Sequence, residues 1–151
     1  MSVTLHLLTR FPPIGFAQLR AEAQAERFKH IERLAEEWEG HTQRFQLDGE
    51  ALFAALLDDR LCAIGGLTHD PVLPSRVALR VRRFYVRPEG RRKGVGRALL
   101  RRITQHGLRH APTVVVNART PAAKAFFEAC GFTPVEEDGF THHLGREDQP
   151  G

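Results

Sequence analysis

A strand ending at Val86 is followed closely by Arg91-Arg92-Lys93-Gly94-Val95-Gly96-Arg97, and then by a helix that runs to about His110. No other stretch limits the fold as tightly. Strand, glycine turn and helix start, in that order, bring the unpaired first-turn amides of a helix to the end of a strand. Glycine lets the backbone turn sharply and lets a ligand approach it with no Cβ in the way. Phosphate oxygens suit such a helix start, and the surrounding Arg and Lys side chains add charge. A pyrophosphate fits this chemistry. Two common phosphate loops are absent: there is no Gly-x-x-x-x-Gly-Lys-Ser/Thr run, and Leu99 stands where Gly-x-Gly-x-x-Gly needs its third glycine.

The net charge of +4 is unevenly spread. Positions 76 to 102 carry eleven basic side chains and one acid, Glu89, so that segment is +10 and the rest of the chain −6. Such a patch attracts a polyanion, either a phosphorylated small molecule or a nucleic acid. The arginines crowd around one glycine loop and no nucleic-acid motif accompanies them, so the expectation is no nucleic-acid partner. Cys62 and Cys130 sit in apolar surroundings and read as packed thiols. No apolar run approaches the roughly 20 residues that cross a bilayer. No membrane association is expected, and with no secretory leader pattern the expected location is cytoplasmic. The histidines form no metal-ligand pattern, and His106 and His110 read as a solvent-facing stripe, so no metal is expected.

The 151 residues fit a single domain, positions 1–151, with an ordered core from about 3 to 145 and a disordered tail after Arg146. Val3 to Leu8 reads as a strand. Phe16 to Glu39 is helical, in one piece or two, with Phe28, Ile31, Leu34, Ala35 and Trp38 on one face. Ala51–Leu57 and Leu61–Thr68 read as a hairpin around Asp58-Asp59-Arg60. Val77, Leu79 and Val81 alternate with Ala78, Arg80 and Arg82 before Phe84-Tyr85-Val86. Thr113–Asn117, a short helix over Pro121–Ala129 and a last hairpin around Glu137-Asp138-Gly139 complete the order. The fold class is α/β: a mixed, mostly antiparallel central sheet with helices on both faces.

The stretch Arg82 to Leu100 resembles the acetyl-coenzyme A signature of the GCN5-related N-acetyltransferases (GNAT), whose Arg/Gln-x-x-Gly-x-Gly/Ala pattern is met by Arg91, Gly94 and Gly96. A second block, Asn117, Pro121 to Phe127 and Cys130-Gly131-Phe132, is similar to the family's fifth strand, following helix and closing Gly-Phe. The resemblance implies the GNAT fold and acetyl-CoA as acyl donor. It implies transfer of the acetyl group to an amine, by direct attack in a ternary complex. Phe84, Tyr85 and Val86 then flank the acetyl and pantetheine portion. Arg91, Arg92, Lys93, Gly94, Val95, Gly96 and Arg97 surround the pyrophosphate. Asn117 lies near the pantetheine arm and Phe127 near the sulfur. A member of the fold that binds acyl-CoA without transfer, as a sensor or pseudoenzyme, is the alternative.

The resemblance breaks at the chemistry. The family commonly places a tyrosine acid where this chain has Phe127, and the position nearest its strand glutamate base is Arg80. The catalytic residues are therefore not assigned by resemblance. His69 and Asp70 are substitute candidates, and one of His142 and His143 should face inward. The acceptor, a small-molecule amine or a peptide, should be bounded by the N-terminal helices, the loop after Thr68 and the last hairpin. Alternation puts Arg80 on one face with Arg82 and Phe84, and Val81 and Arg83 on the other; if the shared face opens toward the coenzyme cleft, Arg80 points to an acceptor bearing a carboxylate or phosphate, such as an amino acid or a derivative, over a polyamine. A homodimer through strand edges or the last hairpin is a further expectation.

Overall fold

The computed structural model of the protein describes residues 1–148. Seven strands form one sheet: β1 (Val3–Leu7), β2 (Ala51–Leu57), β3 (Arg60–His69), β4 (Ala78–Val86), β5 (Thr113–Val116), β6 (Thr133–Glu137) and β7 (Phe140–Gly145). Four helices flank them: α1 (Phe16–Ala25), α2 (His30–Glu39), α3 (Val95–His110) and α4 (Pro121–Ala129). The strand order is β1-β2-β3-β4-β5-β7-β6. Every neighbouring pair is antiparallel except β4 and β5, which run parallel. The expected mixed, mostly antiparallel sheet is thus present.

Each face of the sheet has its own core. Leu99, Leu100 and Ile103 of α3 pack with Phe53, Leu67, Leu79, Val81 and Phe127 on one side. Leu19 of α1 and Ile31, Leu34 and Trp38 of α2 pack with Leu52, Ile64 and Tyr85 on the other. Burial from two sides explains why β2 and β3 read as nearly unbroken apolar runs. Their hairpin turns through left-handed Asp58 (φ 50°) and Asp59 (φ 67°), as a two-residue loop between right-twisted strands requires. The N-terminal helical stretch breaks at Arg27 (φ 65°), so it forms two helices. Phe28 falls in the joint and is 38% exposed, whereas Ile31, Leu34, Ala35 and Trp38 are buried.

Several expectations need correction. Val77 lies outside β4 and is exposed. Strict alternation fails within β4. Gly66 faces Arg82 and Ile64 faces Tyr85, so Gly65 alone stands opposite both Arg83 and Phe84. This is a β-bulge, and Arg83 takes the left-handed conformation (φ 57°). The extra residue rotates Phe84 and Val86 onto the α3 side with Val81. Arg80 therefore does not share a face with Phe84. His106 is not solvent-facing either: its ring packs edge-on against Phe53, and its Nε2 is buried with no partner among the described residues. Of the expected disordered tail, Arg146–Asp148 forms a 3-10 turn, and positions 149–151 lie outside the described residues.

Candidate active site

β4 and β5 pair over only three positions, Ala78 with Thr113, Leu79 with Val114 and Arg80 with Val115. β4 then continues to Val86 while β5 ends at Val116. The central strands part there, and the opening faces the start of α3 and the inner side of α4. Phe84 and Phe126 lie 5.5 Å apart between their ring centres, and Phe127 packs on both. These rings give the gap an apolar wall. Asn117 follows β5, and its side-chain amide has no hydrogen-bond partner among the described residues.

The loop into α3 supplies the polar end. A 3-10 turn at Pro88–Gly90 leads into left-handed Arg92 (φ 63°) and Gly94 (φ 78°). Turns of this kind aim amides into a concavity that suits an anion. The first helical bond runs from the Ala98 N–H to the Gly94 carbonyl, and no side chain caps the helix. The amides of Val95, Gly96 and Arg97 thus have no partner within the helix. A Cβ on Gly94 would meet nothing within 4 Å, so space stands open beside it. Gly96 is packed instead: a Cβ there would lie 3.1 Å from Val86 Cγ2 and 3.3 Å from Phe126 Cζ. Arg92, Lys93 and Arg97 are exposed around the helix start, and Val95 is buried beneath it.

Three other basic side chains of the segment brace the fold. Arg91 donates to both oxygens of Glu26 at 2.6 and 2.7 Å and to the Val86 carbonyl. Its guanidinium is therefore turned from the phosphate end. Arg87 is buried on Glu22 and the Leu61 carbonyl. Arg83 pairs with Glu37. Part of the charge asymmetry of the sequence thus closes within the fold, with Glu22, Glu26 and Glu37 meeting arginines of β4 and its loop. Glu26 also accepts the Tyr85 hydroxyl at 2.5 Å. Arg91 above all, then Tyr85, holds the Glu26 carboxyl below its usual range against the opposing effect of burial. Stability from this pair is present above the ordinary glutamate value and is lost as pH falls through the lowered one. The melting-temperature gap between wild type and Glu26→Gln should accordingly shrink between about pH 5 and pH 3, as a thermal scan would show.

Both substitute candidates have partners in the fold. His69 Nε2 meets the Asp48 carbonyl at 2.8 Å, and its amide donates to Glu50. Asp70 accepts the amides of Val72 and Leu73 and a bond from Arg80. Burial alone would raise its pKa, but these donors outweigh it and hold the carboxyl below the ordinary value, which makes it a weak base. Arg80 is also taken, by Asp70 at 3.4 Å and the Gly139 carbonyl at 2.7 Å. His142 is the inward histidine of the last strand, between Thr141 and Glu128. Tyr85 lies opposite Phe84 and Val86, and burial foremost, then Glu26, pushes its phenol pKa up.

Another histidine with one ring nitrogen open reaches the part of β4 that has left β5. His30, at the start of α2, bonds the Phe84 carbonyl through Nε2 at 2.9 Å. A carbonyl only accepts, so Nε2 carries the hydrogen and Nδ1 keeps its lone pair. Nδ1 has no partner among the described residues. Burial foremost, with Arg83 and Arg33 nearby, pushes the pKa below the ordinary histidine value, against the pull of the Phe84 carbonyl. Nothing in the sequence marks His30, because its partner is a backbone atom 54 residues away at the bulge.

With this geometry in view, comparison with known proteins defines the class. The family model described as acetyltransferase (GNAT) domain matches residues 48–134. A candidate acetyltransferase from Exiguobacterium sp. 255-15 superposes with a TM-score of 0.86 at 30% identity, over 98% of this chain and 96% of that one. The chain belongs to the GNAT acetyltransferase family. The Campylobacter jejuni N-acetyltransferase PseH, in complex with acetyl coenzyme A, has the same fold, with a TM-score of 0.63, 15% identity and coverage of 96% and 99%. So has an aminoglycoside 6'-N-acetyltransferase complexed with coenzyme A, with a TM-score of 0.67, 12% identity and coverage of 97% and 98%. No curated protein sequence matches the chain.

Proposed function

We propose that this chain is an acetyl-CoA-dependent N-acetyltransferase acting by direct attack of a bound amine in a ternary complex. The parting of β4 from β5 beside the uncapped start of α3 carries this reading, because it joins an apolar slot to an anion-binding end. The open space at Gly94 and the unpaired amides fit a pyrophosphate. The amides of Val95, Gly96 and Arg97 would hold it, with charge from Arg92, Lys93 and Arg97. Phe84, Val86, Asn117 and Phe127 would line the path of the pantetheine. Bound there, acetyl-CoA supplies the acetyl group as an activated thioester.

His30 is the residue best suited to the proton. Burial holds its pKa below the ordinary histidine value, its Nδ1 is open, and its ring is fixed by the Phe84 carbonyl at the bulge. In this role Nδ1 accepts the proton that the attacking amine loses. Phe127 has no hydroxyl and the Tyr85 hydroxyl is held by Glu26, so no side-chain acid is assigned to the leaving thiolate. Positioning of the two substrates supplies the main part of the rate in this scheme. The acceptor in this reading is a small amine or a peptide; Arg80, Arg83, Arg87 and Arg91 are paired within the fold, which weighs against a nucleic-acid partner.

Calorimetric titration with acetyl-CoA and with duplex DNA at moderate salt tests the reading, followed by a coenzyme A-release screen over amines. Micromolar or tighter acetyl-CoA binding with no DNA binding is expected. Failure to bind acetyl-CoA would remove the proposal. Binding with no release across amino acids, polyamines, aminoglycosides and peptides would favour the sensor reading.

A further inference from the structure

Three arginines lie on the α1/α2 side of the sheet along β4, and their partners differ. Arg80 is satisfied by Asp70 and the Gly139 carbonyl. Arg83 is satisfied by Glu37, at 2.9 Å. Arg82 stands between them with nothing. Among the described residues its guanidinium makes no hydrogen bond and no ion pair. Its register partner is Gly66, which offers no side chain and lies under the Phe45 ring. That ring belongs to the α1/α2 core, so Arg82 points to the same side as α2.

The side chain is only partly exposed. Burial foremost, then Arg83 and Arg80, pushes its pKa below the arginine norm, while Glu37 and Asp70 act the other way without bonding it. An arginine in a protein stays charged all the same. A partly desolvated charge with no counter-ion is costly, and such groups are ordinarily paired. The two nearest carboxylates are already taken by its neighbours. The vacancy therefore has a sign, a shape and a place: an anion able to meet a planar fork, on the side of β4 that also carries His30. The amides reserved for the coenzyme's phosphates lie elsewhere, at the start of α3.

We propose that Arg82 binds an anionic group, carboxylate or phosphate, carried by the amine acceptor. This moves the anion site from Arg80, whose donors are spent, to the residue two positions on. It rests on the N-acetyltransferase reading above. It adds that the acceptor is an amino acid, an amino-phosphate or a derivative of one, and not a polyamine.

The test compares wild type, Arg82→Met and Arg80→Met, with folding checked by circular dichroism. Calorimetry with acetyl-CoA comes first, and similar affinity in all three is expected. Absence of binding in the wild type would count against the acetyltransferase reading and take this inference with it. Coenzyme A release is then measured with matched amines: alanine against alaninamide, phosphoethanolamine against ethanolamine, and spermidine. The anionic member of at least one pair should be preferred at least tenfold in kcat/KM, and the preferred pair tells carboxylate from phosphate. Arg82→Met should erase the preference through KM, whereas Arg80→Met should change it less than twofold. Side-chain Nε–Hε NMR of the coenzyme A complex, titrated with glutamate and with inorganic phosphate, gives a readout independent of turnover. A saturable shift of the Arg82 resonance with one of them is expected. Preference for the neutral member or for spermidine overturns the inference while leaving acetyl-CoA binding intact. So does an unchanged KM in Arg82→Met, or the lack of any saturable shift.

Discussion

Gly96→Val should weaken acetyl-CoA binding at least tenfold, which is about 1.4 kcal/mol, while leaving a folded protein. The branched side chain would start 3.1 Å from Val86 Cγ2 and 3.3 Å from Phe126 Cζ. Both neighbours are side chains at the edge of the core, so they can yield, at a typical overpacking cost of about 1–3 kcal/mol. Their yielding would move the end of β4 and the inner face of α4, the two walls of the slot. Gly94→Ala serves as a companion, because it meets no atom within 4 Å and its φ is +78°. It should strain the fold by roughly 1–2 kcal/mol and place a methyl group in the space kept for phosphate. Denaturant melts would record the first effect and calorimetry the second. Unchanged affinity in a folded Gly96→Val protein would rule this loop out as the coenzyme site.

His30→Ala should lower kcat by roughly a hundredfold or more, the usual worth of a positioned base, with acetyl-CoA affinity little changed. The decisive variant is His30→Gln, whose amide N–H can still donate to the Phe84 carbonyl but which cannot take a proton. Loss in both variants marks a base; recovery in the glutamine variant marks a residue that only positions the bulge. The pH profile carries the same signature. Because the His30 pKa lies below its ordinary value, the wild-type rate should rise through a midpoint below about 6.5 and stay level above it. That limb should vanish in His30→Gln. Stability follows the same sign: it is fully present above the unfolded-state value and falls as pH drops through the depressed one.

Much of this site can be read from residue order alone, and the reason is steric. Gly94 and Gly96 are informative because a left-handed turn at one and the close approach of Val86 and Phe126 at the other leave few alternatives to glycine. The fold is legible because the apolar runs and turns of β2, β3 and α4 each agree with their surroundings. The bulge is different. Arg82 and Arg83 are both charged, so strict alternation looks acceptable until Phe84. The trace was present in the apolar spacing, since Leu79, Val81, Phe84 and Val86 step by two, three and two. Missing that three placed Arg80 on the face of Phe84. The pairing of Glu22, Glu26 and Glu37 with Arg87, Arg91 and Arg83 lies beyond local pattern, because it joins positions 46 to 65 residues apart.

The short ladder between β4 and β5 has a mechanical consequence. Three residue pairs are the whole seam between a four-stranded and a three-stranded half, with helices bridging the remainder. A molecule lodged in the gap acts as mortar, since it supplies main-chain partners that the second strand withholds. The enzyme's rigidity would then rise and fall with its coenzyme supply. At a coenzyme concentration a hundred times its Kd the gain would be about 2.7 kcal/mol. Amide hydrogens of β5 and β7 should exchange more slowly as the seam closes, and the outer pair β1–β2, far from it, should report only the global gain.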